Sequence, residues 1–173
     1  MRRIIVLCFA LILVAAPTST FAQQDSKPAE SPTHYYRLSF SVQEVGETGK
    51  IINSRVYVTS IATEKGAPTA QIRTGDKFPL ETDNKGNLQY IDVGVNIDCM
   101  RALEVSSKLA VQINADISNT TKATDPSAPP VIRANRWSAM VLVPIAKPTI
   151  IFSSDNLQDK GKLQMELTAT RIE

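Results

Sequence analysis

From Tyr35 onward, apolar and polar residues alternate with a period of two, which sends one set to each face of an extended strand. Tyr36, Leu38, Phe40 and Val42 alternate with Arg37, Ser39, Ser41 and Gln43. A turn over residues 46–50 leads to a returning strand over 51–61, with Val56 and Val58 on one face, and the pair predicts a hairpin. A short strand over 69–73 is expected to end at Thr74-Gly75-Asp76, and Pro79 confines the next piece to an edge or a bend. Asp83-Asn84-Lys85-Gly86 reads as a turn. The clearest strand follows: Ile91, Val93, Val95, Ile97 and Cys99 face one way, and Asp92, Gly94, Asn96 and Asp98 the other. Residues 100–107 have room for one helical turn. Leu109, Val111, Ile113, Ala115 and Ile117 repeat the alternation, and a polar, proline-bearing loop covers 119–130. The strand over 133–143 is apolar on both faces from Met140 to Val143, which predicts a central place in a sheet. A short strand over 149–152, a loop over 155–161 and a last alternating strand through Leu163, Met165, Leu167 and Ala169 complete the pattern.

Strands with one apolar and one polar face belong to antiparallel sheets solvated on one side. Their apolar faces must be buried against each other or inside a closed sheet. The expected fold is therefore all-β and mainly antiparallel, a β-sandwich or partly open barrel of about seven to nine strands. Neither internal repeats nor sustained helical periodicity are visible after the first 22 residues.

Those first residues follow a different rule. Arg2-Arg3 precede an apolar run over 4–16, and Thr20-Phe21-Ala22 places small residues at the −3 and −1 positions of a signal-peptidase site. The run is too short for a membrane span, and no later run approaches one. The expected organisation is a signal peptide over 1–22, a polar leader over 23–33 with Pro28 and Pro32, and one β domain over 34–173. The expected location is outside the cytoplasm, in the periplasm or cell envelope.

Cleavage changes the charge. The chain has 19 Lys+Arg and 17 Asp+Glu; Arg2 and Arg3 leave with the signal and no acid does, so bases and acids become equal. Without a basic cluster there is no electrostatic footprint for nucleic acid. Cys8 lies inside the apolar run rather than closing it, which excludes a lipoprotein cysteine. Cys99 is then the one remaining thiol, so the domain must stand on packing without an internal disulfide. Its place at the end of an apolar face reads as a small buried hydrophobe.

Candidate chemistry is sparse. His34 is the single histidine, beside the leader, and a nucleophilic triad needs a positioned base next to a Ser or Cys. Asp92 and Asp98 stand six residues apart on an extended chain, about 20 Å, too far to hold one cation. They are expected to solvate the open face of the sheet. Lys85 stands where the turn at 83–87 would need a calcium ligand. No phosphate loop or paired-cysteine metal motif is present, and no cofactor is implied. Tyr57, Tyr90 and Trp137 are the candidate binding residues, since a ligand or glycan platform needs exposed aromatics, whereas Tyr36 shares its face with Leu38 and Phe40 and is expected to pack inward.

Ile72-Arg73-Thr74-Gly75-Asp76-Lys77-Phe78-Pro79 carries an Ile-x-x-Gly-x-x-x-Pro element, followed by Tyr90-Ile91-Asp92-Val93-Gly94-Val95-Asn96-Ile97, by Asp116-Ile117-Ser118, and by Pro130-Val131-Ile132-Arg133. This order, over about residues 70–154, resembles the secretin homology domain of bacterial type II and type III secretion and type IV pilus channels. The chain departs from that family at Met100, in place of a usual proline, at Lys147-Pro148 and at Ser153-Ser154, where glycines are usual. It also lacks the Val-Pro-Leu-Gly-Pro run. The resemblance implies a shared β-architecture and an envelope accessory or reduced relative; it does not carry over pore function.

The reading that joins these features is a non-enzymatic, exported envelope domain acting by protein–protein contact or self-association through a sheet face or edge. The strands over 51–61 and 149–152 are the expected edges, open to strand addition. Two alternatives remain: a small-ligand or glycan-binding β-sandwich, and a hydrolase whose carboxylates or nucleophile converge from different strands.

Overall fold

The computed structural model of the protein describes residues 32–81, 87–121, 131–155 and 161–172. The expected signal peptide and nearly all of the expected leader lie outside them, as do the turn expected at 83–86 and most of the loops expected over 119–130 and 155–161. The described residues form eight strands: β1 (Tyr35–Val45), β2 (Ile51–Ala62), β3 (Ala70–Glu81), β4 (Leu88–Val105), β5 (Lys108–Thr121), β6 (Val131–Pro144), β7 (Thr149–Asp155) and β8 (Lys162–Ile172). They make two four-stranded sheets with orders β2-β1-β8-β7 and β3-β4-β5-β6, antiparallel at every strand pairing. The fold is an open all-β sandwich, as the alternation predicts, and not a closed barrel.

Register explains the core. Across the second sheet Ala70, Cys99, Ile113 and Ala139 stand in one row, and Ile72, Ile97, Ala115 and Trp137 in another. Across the first sheet Phe40 stands between Tyr57 and Leu167, and Leu38 between Thr59 and Ala169. Tyr36, Leu38, Phe40, Ile97, Leu109, Val111, Ile113, Met165 and Leu167 are fully buried, and no described residue of the buried class is polar or charged. Each large side chain so buried contributes about 2 kcal/mol. Among the described residues the buried cluster is built from the strands β1 to β8. Trp137 lies flat against Phe152, with ring centroids 5.5 Å apart and planes 4° off parallel, and joins β6 to β7 across the two sheets.

Several expectations are revised. β3 does not end at Thr74-Gly75-Asp76 but runs on through Pro79 to Glu81. Its edge position allows this, because a proline without an N–H costs nothing on the unpaired side. Residues 100–107 are not helical: β4 continues to Val105 with a bulge at Arg101, and Ser106 and Ser107 turn the chain with φ of 47° and 63°. Two consecutive positive φ values make a two-residue hairpin turn whose twist suits the flanking strands. β6 is an edge strand and not a central one. Its two apolar faces arise because Val141 and Val143 turn to the core while Met140 and Leu142 turn to solvent. Val56 and Val58 do share a face, but it is the outer one; Tyr57 and Ile61 carry the inner alternation.

One close approach depends on glycine. Gly75 and Gly94 stand opposite each other where β4 loses its β5 neighbour. A Cβ on Gly75 would come 2.2 Å from the Val93 carbonyl oxygen, and one on Gly94 would come 2.1 Å from that of Thr74. Gly94 also has φ of 154°, a region side chains avoid. Ser118 accepts a 3.0 Å hydrogen bond from the Gly94 N–H.

The assignment of faces has a direct test. Val95 is 7% exposed, so Val95→Asp buries an unpaired charge and costs at least about 3 kcal/mol. Asp92 makes an exposed 3.1 Å ion pair with Lys77, and Asp92→Asn changes stability by less than about 0.5 kcal/mol. Urea denaturation of both variants checks the contrast; a stable Val95→Asp protein would mean that the two faces of β4 are reversed.

Candidate functional site

A cavity of about 940 Å³ opens between the sheets at the end away from the β4–β5 turn. Inward side chains of both sheets line it: Val42, Arg55 and Tyr57 from the first, and Val95, Ile117 and Asn135 from the second. Glu44, Asp76, Arg133, Asp155 and Lys162 add charges of both signs at its border. The volume suits a small-molecule site, which commonly combines apolar walls with a few polar groups. Arg55 reaches this wall because it pairs with Val42 on the inner register of β2. The signal that would have found it is the Tyr57–Ile61 alternation, which the more conspicuous Val56 and Val58 obscure.

The three candidate aromatics do not share one site. Tyr57 lines the inter-sheet cavity. Trp137 is part of the core contact with Phe152, and its backbone row borders a shallow groove with Asn96, Asp98, Asn114, Asp116, Arg136 and Ser138. Tyr90 stands opposite Pro79 and is 60% exposed, outside both.

The groove on the outer face of the second sheet is a ladder of cross-strand polar pairs. Arg73 Nη2 donates to Asp98 Oδ1 at 2.5 Å, Arg136 Nε to Asp116 Oδ2 at 2.6 Å, and Ser138 Oγ to Asn114 Oδ1 at 2.5 Å. Asp92, Asp98 and Asp116 are each held by a cation from the next strand, so these acids serve to pair the strands and keep the face solvated. Among the described residues no three His, Cys, Asp or Glu side chains gather as metal ligands.

At the opposite end of the sandwich a second polar cluster crosses between the sheets. Tyr36 Oη donates to Glu104 Oε2 at 2.5 Å, and His34 Nδ1 stands 2.7 Å from the same oxygen. A carboxylate only accepts, so His34 carries its proton on Nδ1. The His34 N–H donates to Thr63 Oγ1 at 2.9 Å, which holds the entry to β1 against the end of β2. The His34 ring is engaged by a carboxylate and not by a serine or cysteine, and the cluster is a clamp from β1 to β4. Burial, and then the hydrogen bond to Glu104, push the Tyr36 hydroxyl up to about 12. The bonds from Tyr36 and His34 hold the Glu104 carboxyl below its usual range. Burial, and then the Asp98 charge, push the Cys99 thiol up to about 12. Cys99 is fully buried and is the small hydrophobe expected from its place on β4.

No protein-family model matches the chain, and no curated protein does. Solved structures do. The secretin-domain β-barrel of InvG from the Salmonella SPI-1 injectisome matches with a TM-score of 0.51 and 9% identity, over 82% of this chain and 62% of that one. The type II secretin GspD of enteropathogenic Escherichia coli matches with a TM-score of 0.50 and 10% identity, over 82% of this chain and 66% of that one. GspD in the enterotoxigenic E. coli pilotin–secretin complex with AspS gives 0.50 and 10%, over 82% and 47%. The chain therefore spans between about half and two thirds of the chains it matches, and at such identity the likeness is one of fold. That fold is the secretin-domain fold, in agreement with the resemblance carried by residues 70–154.

The clustered groups give a pH prediction. Tyr36 and Cys99 are both pushed up to about 12 in the folded protein, above the ordinary values of 10.0 and 9.0. Folding favours their neutral forms, so the stability these two groups contribute is fully present below pH 9 and is lost as pH rises from 9 to 12. Cys99→Ala removes the earlier titration and moves the onset of loss to near pH 10. Thermal melts across that range measure it, and an unchanged onset would show that Cys99 does not titrate differently on folding.

Proposed function

We propose that the protein is an exported, non-enzymatic domain of a bacterial cell envelope that works by protein–protein contact, self-association included, through its open sheet edges. The single observation that carries this reading is the topology. Neither sheet closes on itself, so β2, β7, β3 and β6 each offer a row of backbone groups on one side. Such a row recruits another strand unless something covers it. The predicted edges, β2 and β7, hold those positions, with Val58 and Ile150 exposed on them. The secretin-domain fold supports an envelope role, and the N-terminal signal pattern supports export with removal of residues 1–22. The remaining chain is one β domain over 34–173 behind a leader, and a secretin-related accessory or reduced relative is the finer form of the proposal.

The inter-sheet cavity supports a second reading, in which a small ligand or glycan binds beside Tyr57. Tyr90 and Trp137 then serve elsewhere, since they do not line that cavity.

Sedimentation of the chain from Gln23 onward, alone and with envelope extract, separates the two. The contact reading expects assemblies larger than a monomer. Val58→Lys and Ile150→Lys place charges on exposed positions of β2 and β7, so they leave the melt unchanged and abolish the assemblies. A monomer under every condition that binds a glycan, and loses it in Tyr57→Ala, would replace contact with ligand binding.

A further inference from the structure

The outer face of the second sheet changes character halfway along. Two adjacent rows are polar throughout: Gln71, Asp98, Asn114 and Ser138, and then Arg73, Asn96, Asp116 and Arg136. The next rows toward the β4–β5 turn are Met100, Gln112 and Met140, then Leu103, Ala110 and Leu142, then Val105, Lys108 and Pro144. Leu103 and Met140 are each 56% exposed, Leu142 50% and Val105 48%. Because Ala102, Leu109, Val111 and Val143 fill the inner side, this end of the sheet is apolar on both faces. Solvated single-sided sheets do not have such an end.

Its border is basic. Arg101, Lys108 and Lys147 are exposed, and none of them makes an ion pair among the described residues. The acid beside them, Glu104, is engaged by Tyr36 and His34, and Arg171 adds a positive charge near it. Glu64 and Lys65, on the β2–β3 connection, bring one charge of each sign.

We propose that this apolar half-face with its basic border seats the domain on an anionic lipid surface. Aliphatic side chains enter the headgroup and acyl boundary, and Arg101, Lys108 and Lys147 meet phosphate headgroups. Three features select this occupant. The charge at the border is complementary to anionic lipid, where each basic residue near the surface adds to binding. The apolar band from Met140 to Leu142 runs about 7 Å along the strand, far short of the 9–11 residues that a crossing strand needs, so the face rests on the surface and does not span it. The exposed set, Leu103, Val105, Met140 and Leu142, is aliphatic and suited to the acyl boundary. The contact uses a sheet face, not an edge, and stands whether or not the edges recruit strands.

Flotation with lipid vesicles tests it. The chain from Gln23 onward, which contains the whole core, is mixed with vesicles of phosphatidylcholine alone or with phosphatidylglycerol added. Binding is expected to the anionic vesicles, to weaken with salt, and to fall about fivefold for each lysine removed in Lys108→Ser and Lys147→Ser. Leu103→Ser with Leu142→Ser is expected to abolish it. Unreactive Cys99 in a thiol assay shows that each variant is folded. The edge variants Val58→Lys and Ile150→Lys keep full lipid binding, so failure here and failure of the edge reading are told apart. No binding to anionic vesicles by a folded wild-type chain overturns the proposal. So does binding that ignores the four substitutions. A dimer lost in Leu103→Ser with Leu142→Ser, or capture of an acidic amphipathic peptide without vesicle binding, overturns it in favour of a second copy or an acidic protein partner.

Discussion

Two sheets with one apolar face each are unstable apart, and everything else in this domain follows from pressing those faces together. The contact is made almost wholly by aliphatic and aromatic side chains, with Tyr36, Leu38 and Phe40 on one side and Ile97, Ile113 and Leu109 on the other. No disulfide assists, since Cys99 is a free thiol within that layer. The polar groups of the described strands are left at the outer faces and the two open ends. There they form cross-strand pairs on the second sheet, a clamp at one end and the border of a cavity at the other.

The ends of the sandwich differ because the strands differ in length and register. At one end β4 carries Glu104 far enough to meet Tyr36 and His34 from the other sheet, which closes the gap. At the other, β4 separates from β5 at the Gly75–Gly94 approach and the sheets part around the cavity. The open edges of both sheets remain available to another chain. The one histidine serves the clamp, and the acids on the outer face of the second sheet serve strand pairing.

The secretin-domain likeness is a likeness of backbone course. At 9% to 10% identity over 82% of the chain, the side chains of those proteins are no guide to the side chains here. The surface chemistry has to be read from this chain's own residues, and that is where the split outer face of the second sheet stands out.

Alternation by itself determined the strands, their inner faces and the sandwich, because period-two burial is a local property of an extended chain. The inward turn of Tyr36 and the burial of Cys99 were legible in this way. The rest was decided by partners distant in sequence. Met140 to Val143 has the pattern of a central strand, yet β6 lies at an edge, because strand order depends on which neighbours are available and not on the strand itself. Tyr57, Tyr90 and Trp137 look equivalent as aromatics in strands, but register sends one to a cavity, one to solvent and one to a stack on Phe152. The bond from Tyr36 to Glu104 spans 68 residues, and nothing local to either announces it. A period of two says which side of a strand is wet; only the packed sheets say what lies across from it.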